Sequence, residues 1–152
     1  MMNLNSWSPQ LKNILFFVSQ GRFLDKQNIT KLNPSQNKAI EKGLFENSNN
    51  QIVCSPTGSG KTLVAELAML DTIVNNKKKA IYIVPLKALA SEKYREFKEF
   101  YGDDFRIRIS VGDIQTEKYN YDYDLLILTA EKLDSLLRHD KNLVSDVGLV
   151  IS

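Results

Sequence analysis

Eight consecutive residues hold the densest chemistry in this sequence: Ser55-Pro56-Thr57-Gly58-Ser59-Gly60-Lys61-Thr62. Gly58 and Gly60 enter positive φ cheaply, so successive backbone N–H groups can curl around a phosphate where a helix begins. The start of that helix, with its unpaired donors and positive dipole end, attracts the same anion. Lys61 would bring a full positive charge to the β and γ phosphates of a nucleotide, and the Thr62 hydroxyl would ligate the Mg²⁺ that bridges them. A first-turn lysine opposes the helix dipole unless an anion is bound, which argues against a plain Gly/Ser turn. The general phosphate-loop motif opens on glycine, whereas this run opens on Ser55.

Such a loop needs a strand leading in and a helix leading out. From Gln51 onward, short β-branched runs alternate with amphipathic ones, the pattern of βαβ units and a parallel sheet. Gln51–Ser55, Ala80–Val84, Arg106–Val111, Leu125–Thr129 and Val147–Ile151 are the expected strands, mostly continuous apolar runs suited to a sheet covered on both faces. Lys61–Val74 carries Leu63, Leu67, Leu70 and Val74 on one helical stripe, and Ala88–Tyr101 carries Ala90, Tyr94, Phe97 and Tyr101. Glu131–Arg138 is a shorter helix with Leu133, Leu136 and Leu137 inward. Upstream, Leu11–Val18 reads as a helix, and Pro34 opens a second one reaching Phe45, stopped by the Asn-rich turn Glu46–Asn50. No repeat or long linker divides the chain. The expectation is one compact α/β unit.

Bulk properties exclude more than they assign. Twenty basic against eighteen acidic residues give a net charge of +2, too even to argue by itself for nucleic acid. The single cysteine, Cys54, permits no intrachain disulfide and no cysteine-based metal site, and its place in the first strand assigns it to the core. Met1–Gln10 lacks a signal-peptide pattern and Asn13–Gly21 is too short to span a bilayer, so the expected location is cytoplasmic with no membrane contact. His139 reads as a helix-end cap or solvated group. Lys77-Lys78-Lys79 reads as a solvated turn.

The loop Pro56-Thr57-Gly58-Ser59-Gly60-Lys61-Thr62, with its non-glycine first position, resembles motif I of superfamily 2 helicases. Further motifs of that family follow in order. Leu32-Asn33-Pro34-Ser35-Gln36 resembles the glutamine motif, in which Gln36 would pair its amide with the adenine edge of ATP. Val84-Pro85-Leu86-Lys87-Ala88-Leu89-Ala90 is similar to motif Ia. Val111-Gly112-Asp113 resembles the glycine-aspartate turn and Thr129-Ala130-Glu131-Lys132 resembles motif Ib. Each of these three follows a strand, so in a parallel sheet they share one edge with the phosphate loop. Taken singly, Pro85 with Lys87 is a strand-to-helix turn, Gly112-Asp113 a tight turn, and Thr129 with Glu131 a helix cap. Leu86 to Lys93 and Thr129 to His139 look closest to the archaeal repair helicases of the Ski-two-like branch, and the resemblance covers roughly residues 30 to 152.

The resemblance implies a three-layer αβα, RecA-like phosphate-loop NTPase domain with a mostly parallel sheet. It spans 1–152 as a single incomplete N-terminal unit, with 1–31 a leading helical segment and 32–152 the core. It implies ATP and Mg²⁺ at Gln36, Pro56, Thr57, Gly58, Ser59, Gly60, Lys61 and Thr62, with Lys61 and Thr62 catalytic and Thr62 the metal ligand. Pro85, Lys87, Gly112, Asp113, Thr129, Glu131 and Lys132 would meet single-stranded or forked nucleic acid, DNA before RNA. In that family an Asp-Glu-x-His motif follows the strand matching Leu149 to Ser152, and a second RecA-like domain supplies an arginine finger. Neither is in this sequence, so the expectation is a chain that binds nucleotide without efficient hydrolysis. An RNA helicase, a small phosphate-loop kinase and a non-catalytic binding module are the competing readings, although Arg95, Arg106, Arg108 and Arg138 show no clustered lid pattern.

Overall fold

Proline lacks an N–H, so it opens a helix at no cost, and two helices here begin on one. In the computed structural model, which describes residues 8–17, 32–46, 50–112 and 122–152, α1 spans Pro9–Phe17 and α2 spans Pro34–Glu41. The chain divides into two compact units, Met1–Lys77 and Lys78–Ser152.

In the first unit, Ser8 caps α1 by accepting the Leu11 N–H (3.2 Å), and α1 buries Leu11 and Ile14. Asn33 and Gln36 close a reciprocal capping box at the start of α2, which satisfies two otherwise orphaned donors. Helix α2 stops at Lys42, ahead of Gly43 at φ 90°, so it is shorter than the expected Ser35–Phe45. The Gln51 amide donates to the Ala39 and Lys42 carbonyls (3.2 and 2.9 Å), covering acceptors that a helix end leaves open.

Helix α3 (Lys61–Leu70) continues into a π turn over Asp71–Asn75, where the sequence pattern implies one regular helix to Val74. Leu67, Leu70 and Val74 are buried as expected, while Val64, Met69 and Ile73 widen the buried face beyond a single stripe. The wide turn seats Asp71, whose carboxylate accepts from the Asn75 and Asn76 amides (2.6 and 3.1 Å). Burial raises the Asp71 carboxyl above the ordinary range, opposed by those two hydrogen bonds. Asn13 of α1 donates to the Asn75 side chain (2.6 Å), tying the leading helix to this turn.

The second unit is a parallel sheet with helical cover. Strands β1 (Lys79–Val84), β2 (Ile107–Ser110), β3 (Leu125–Thr129) and β4 (Val147–Ile151) lie in the order β2-β3-β1-β4, each pair parallel. Every residue of β3 is buried, as a continuous apolar run in a two-sided sheet requires. Helix α4 (Lys87–Tyr101) covers one face: Phe97 meets the Tyr82 ring edge-on, centroids 5.4 Å apart. On the other face, Ile81, Leu126 and Leu128 form a cluster with Leu136 of α5 (Ala130–His139) and Leu143 of a 3₁₀ turn, Lys141–Val144. Edge strand β4 alternates half-buried and exposed residues, with Val150 54% exposed.

One expected strand is absent. Gln51–Ser55 has no regular secondary structure, because β propensity becomes a strand only where a neighbour completes the ladder. Alternate residues of the segment are uncovered: Ile52 is 93% exposed. Cys54, expected in the core, is exposed as well.

Candidate functional site

The phosphate loop connects Ser55 to α3 within the first unit. Gly58 and Gly60 both hold positive φ, at 77° and 81°, as expected of them. Gly60 is the N-cap of α3, which has neither a capping side chain nor an acidic residue in its first turn. The helix therefore starts without a side-chain acceptor for its leading N–H groups and without a competing carboxylate, the condition under which an external anion is attracted. Lys61 lies half-buried and folds back over the loop, its Nζ donating to the Ser55 and Pro56 carbonyls (2.5 and 2.9 Å). An ammonium has three donors, so one remains for a phosphate oxygen. Thr62 is exposed in the first turn.

Ser55 has a role that its departure from the general motif does not announce. Its Oγ lies 2.5 Å from Ser59 Oγ, a hydroxyl pair that ties the first residue of the loop to its fifth. A glycine at position 55 has no group for this bond.

Gln36 is buried at 6% exposure. Its Oε1 accepts the Asn33 N–H (2.8 Å) and its Nε2 donates to the Gly60 carbonyl (3.3 Å). Each end keeps one further hydrogen-bonding position, so the amide that buttresses the loop retains a donor and an acceptor for an adenine edge. Asn33, which motif reasoning passed over, accepts from the Gln36 N–H (2.9 Å) and donates to the Ser59 carbonyl (2.7 Å). The spacing Asn33 to Gln36 is a readable capping box, but nothing in sequence spacing discloses the reach from Asn33 to Ser59.

In the second unit, registers Val84↔Thr129 and Ser110↔Leu128 align the carboxyl ends of β1, β2 and β3. Pro85 and Lys87 follow β1, Gly112 follows β2, and Glu131 and Lys132 follow β3, so these sit along one sheet edge. Pro85, Lys87, Gly112 and Glu131 are exposed. Lys132 Nζ donates to the Gly112 carbonyl (2.6 Å), joining two of the expected sites directly. Thr129 is buried and caps α5, its hydroxyl accepting the Lys132 N–H (3.3 Å). Asp113 lies outside the described residues. His139 Nδ1 lies 2.8 Å from the Ser135 carbonyl at the exposed end of α5.

No group of three or more His, Cys, Asp or Glu side chains among the described residues is arranged to hold a metal. The exposed Thr62 hydroxyl is a hard oxygen of the kind that meets Mg²⁺ alongside phosphate oxygens and water. Among the described residues no helix is long and apolar enough to cross a membrane.

A glycine-cradled loop at a helix start, in a chain with a parallel, helix-covered sheet, defines the class of phosphate-loop α/β nucleotide-binding proteins. The chain belongs to the DEAD/DEAH box helicase family, whose model matches residues 33–152. It is 47% identical over 131 residues to the ATP-dependent DNA helicase Hel308 of Methanocaldococcus jannaschii, covering 81% of this chain and 11% of that protein. It is 43% identical over 136 residues to Hel308 of Methanococcus vannielii, covering 84% of this chain and 18% of that protein. The chain thus spans between about a tenth and a fifth of these relatives. The DUF1998 helicase MrfA, solved with DNA and AMPPNP, shares the fold at a TM-score of 0.68 and 21% identity, over 94% of this chain and 20% of that one.

Proposed function

We propose that this chain is the nucleotide-binding part of an ATP-driven DNA helicase motor. The observation that carries the reading is the open start of α3, with Gly58 and Gly60 in the left-handed region and Lys61 held over the loop. In this reading the backbone of Pro56 to Gly60 cradles the phosphates, Lys61 neutralises the β and γ oxygens, and Thr62 offers a hydroxyl to Mg²⁺. Mg²⁺ supplies charge neutralisation between the phosphates when bound. Gln36 uses its remaining donor and acceptor to favour adenine. The strand-end residues Pro85, Lys87, Gly112, Asp113, Glu131 and Lys132 meet the nucleic-acid backbone, with Thr129 shaping the last of these turns. The names of the Hel308 relatives support DNA as the nucleic acid.

Titration of the chain with a fluorescent ATP analogue, with and without Mg²⁺, tests the pocket. Binding that strengthens with Mg²⁺ and falls at least tenfold in Lys61→Ala is the expected outcome, given the charge-assisted contacts removed. Equal affinity of parent and Lys61→Ala defeats the reading. Parallel titrations with single-stranded DNA and RNA across salt concentrations decide the polymer, since phosphate contacts alone do not distinguish the sugars.

A further inference from the structure

A phosphate loop works only if its N–H groups point inward, and a planar trans peptide couples each N–H to the carbonyl on its opposite side. The structure has no cis peptide bonds among its described residues. Holding the Ser59 carbonyl outward therefore turns the Gly60 N–H the other way, and holding the Gly60 carbonyl does the same for the Lys61 N–H. Both carbonyls are held. Asn33 Nδ2 donates to Ser59 O at 2.7 Å and Gln36 Nε2 to Gly60 O at 3.3 Å.

We propose that Asn33 is a positioning residue for the phosphate loop: its side-chain amide latches the Ser59 carbonyl to the start of α2 and so aims the Gly60 N–H at the bound phosphate. The same amide accepts the Gln36 N–H at 2.9 Å, while Gln36 returns a bond to the Asn33 N–H at 2.8 Å. Cap and latch are thus one four-bond unit, in which Asn33 and Gln36 each serve both halves with a single side chain, and the Asn33 latch is the shorter of the two. Packing supports the closeness of this fit. A Cβ built on Gly60 would lie 2.5 Å from Gln36 Nε2 and 2.9 Å from Asn33 Nδ2, whereas one on Gly58 would meet nothing within 4 Å. Gly60 therefore lies directly beneath the two amides. Serine caps a helix about as well as asparagine but has no second group to reach Ser59, so the two jobs of Asn33 can be separated by substitution.

This inference rests on the nucleotide-binding reading for its consequence, and two readouts keep them apart. Asn33→Ser in the full chain should lower the melting temperature by only about 2–4 °C, the effect of one lost hydrogen bond in a chain of this size, and weaken binding of the fluorescent ATP analogue about fivefold. In the absence of nucleotide, the NMR order parameters of the Gly60 and Lys61 N–H groups should fall below those of the parent, because the peptide planes that carry them are no longer held. Asn33→Ala should lose the cap as well and melt lower still. Should the serine variant fail to fold, Asn33→Asp keeps the cap, replaces the donor by an acceptor, and gives the same readout. Unchanged order parameters at Gly60 and Lys61 in a folded cap-preserving variant overturn the latch. If parent and Lys61→Ala both fail to bind nucleotide, the functional reading falls, and the order-parameter comparison still decides the latch.

Discussion

Two glycines in one loop can be required for different reasons. Gly58 and Gly60 share a positive φ, which costs an L-residue about 1–2 kcal/mol, but only Gly60 is roofed by the amides of Asn33 and Gln36. Gly58→Ala should therefore be destabilised by the backbone term alone. Gly60→Ala should add the loss of the Ser59 and Gly60 carbonyl bonds, about 1 kcal/mol each. Thermal unfolding of the two variants checks the order, and equal losses would mean that the amides yield without penalty. The positive φ at these positions was readable from residue type, since few residues but glycine populate that region. The roof was not, because it is made by side chains more than twenty positions upstream, and only folding brings them over the loop.

At the scale of elements, β3 is fastened at its start by groups that titrate at opposite ends of the pH scale. Tyr123 donates its hydroxyl to the Leu143 carbonyl at 2.6 Å, and burial pushes its pKa up to about 12. A folded value above the unfolded one gives stability that is present below pH 10 and is lost as pH rises through about 12. Burial pushes the Asp124 carboxyl up, but hydrogen bonds and charge from Arg106, with the charge of Lys79, overcome it and hold the group below its ordinary 3.8. That contribution is present above pH 3.8 and is lost as pH falls through the depressed value. Tyr123→Phe should thus flatten the alkaline limb of a stability profile and Asp124→Asn the acid limb. Chemical denaturation at several pH values measures both, and an unchanged acid limb in Asp124→Asn would show the Arg106 bonds to be without effect. Sequence made β1 and β3 legible because their apolar runs are long enough to be covered on two faces, and β2 and β4 legible through their β-branched residues. It could not show the π turn at Asp71–Asn75, which depends on where Asn75 and Asn76 find a carboxylate, nor that Gln51–Ser55 would lack a ladder.

Across the whole molecule, most of the family motifs were legible because they sit where a strand or loop hands over to a helix, and local chemistry marks those places. What the sequence left dark is contact at a distance, such as Lys132 on Gly112. Edge strand β4 carries a different kind of consequence. It pairs with β1 on one side, and its sequence Val-Gly-Leu-Val-Ile contains no charge and no proline, two of the features that stop an outer strand from recruiting another. Among the described residues no second strand pairs with β4, so this edge offers an apolar extended segment, a second copy included, a place for strand addition. Purified chain should self-associate with rising concentration and be largely insensitive to salt, since ladder bonds rather than charges would hold the copies. Val150→Lys should keep it monomeric in sedimentation at concentrations where the parent assembles. On this expectation, the concentration at which the protein can be handled is set by five uncharged residues on the outer strand of its sheet.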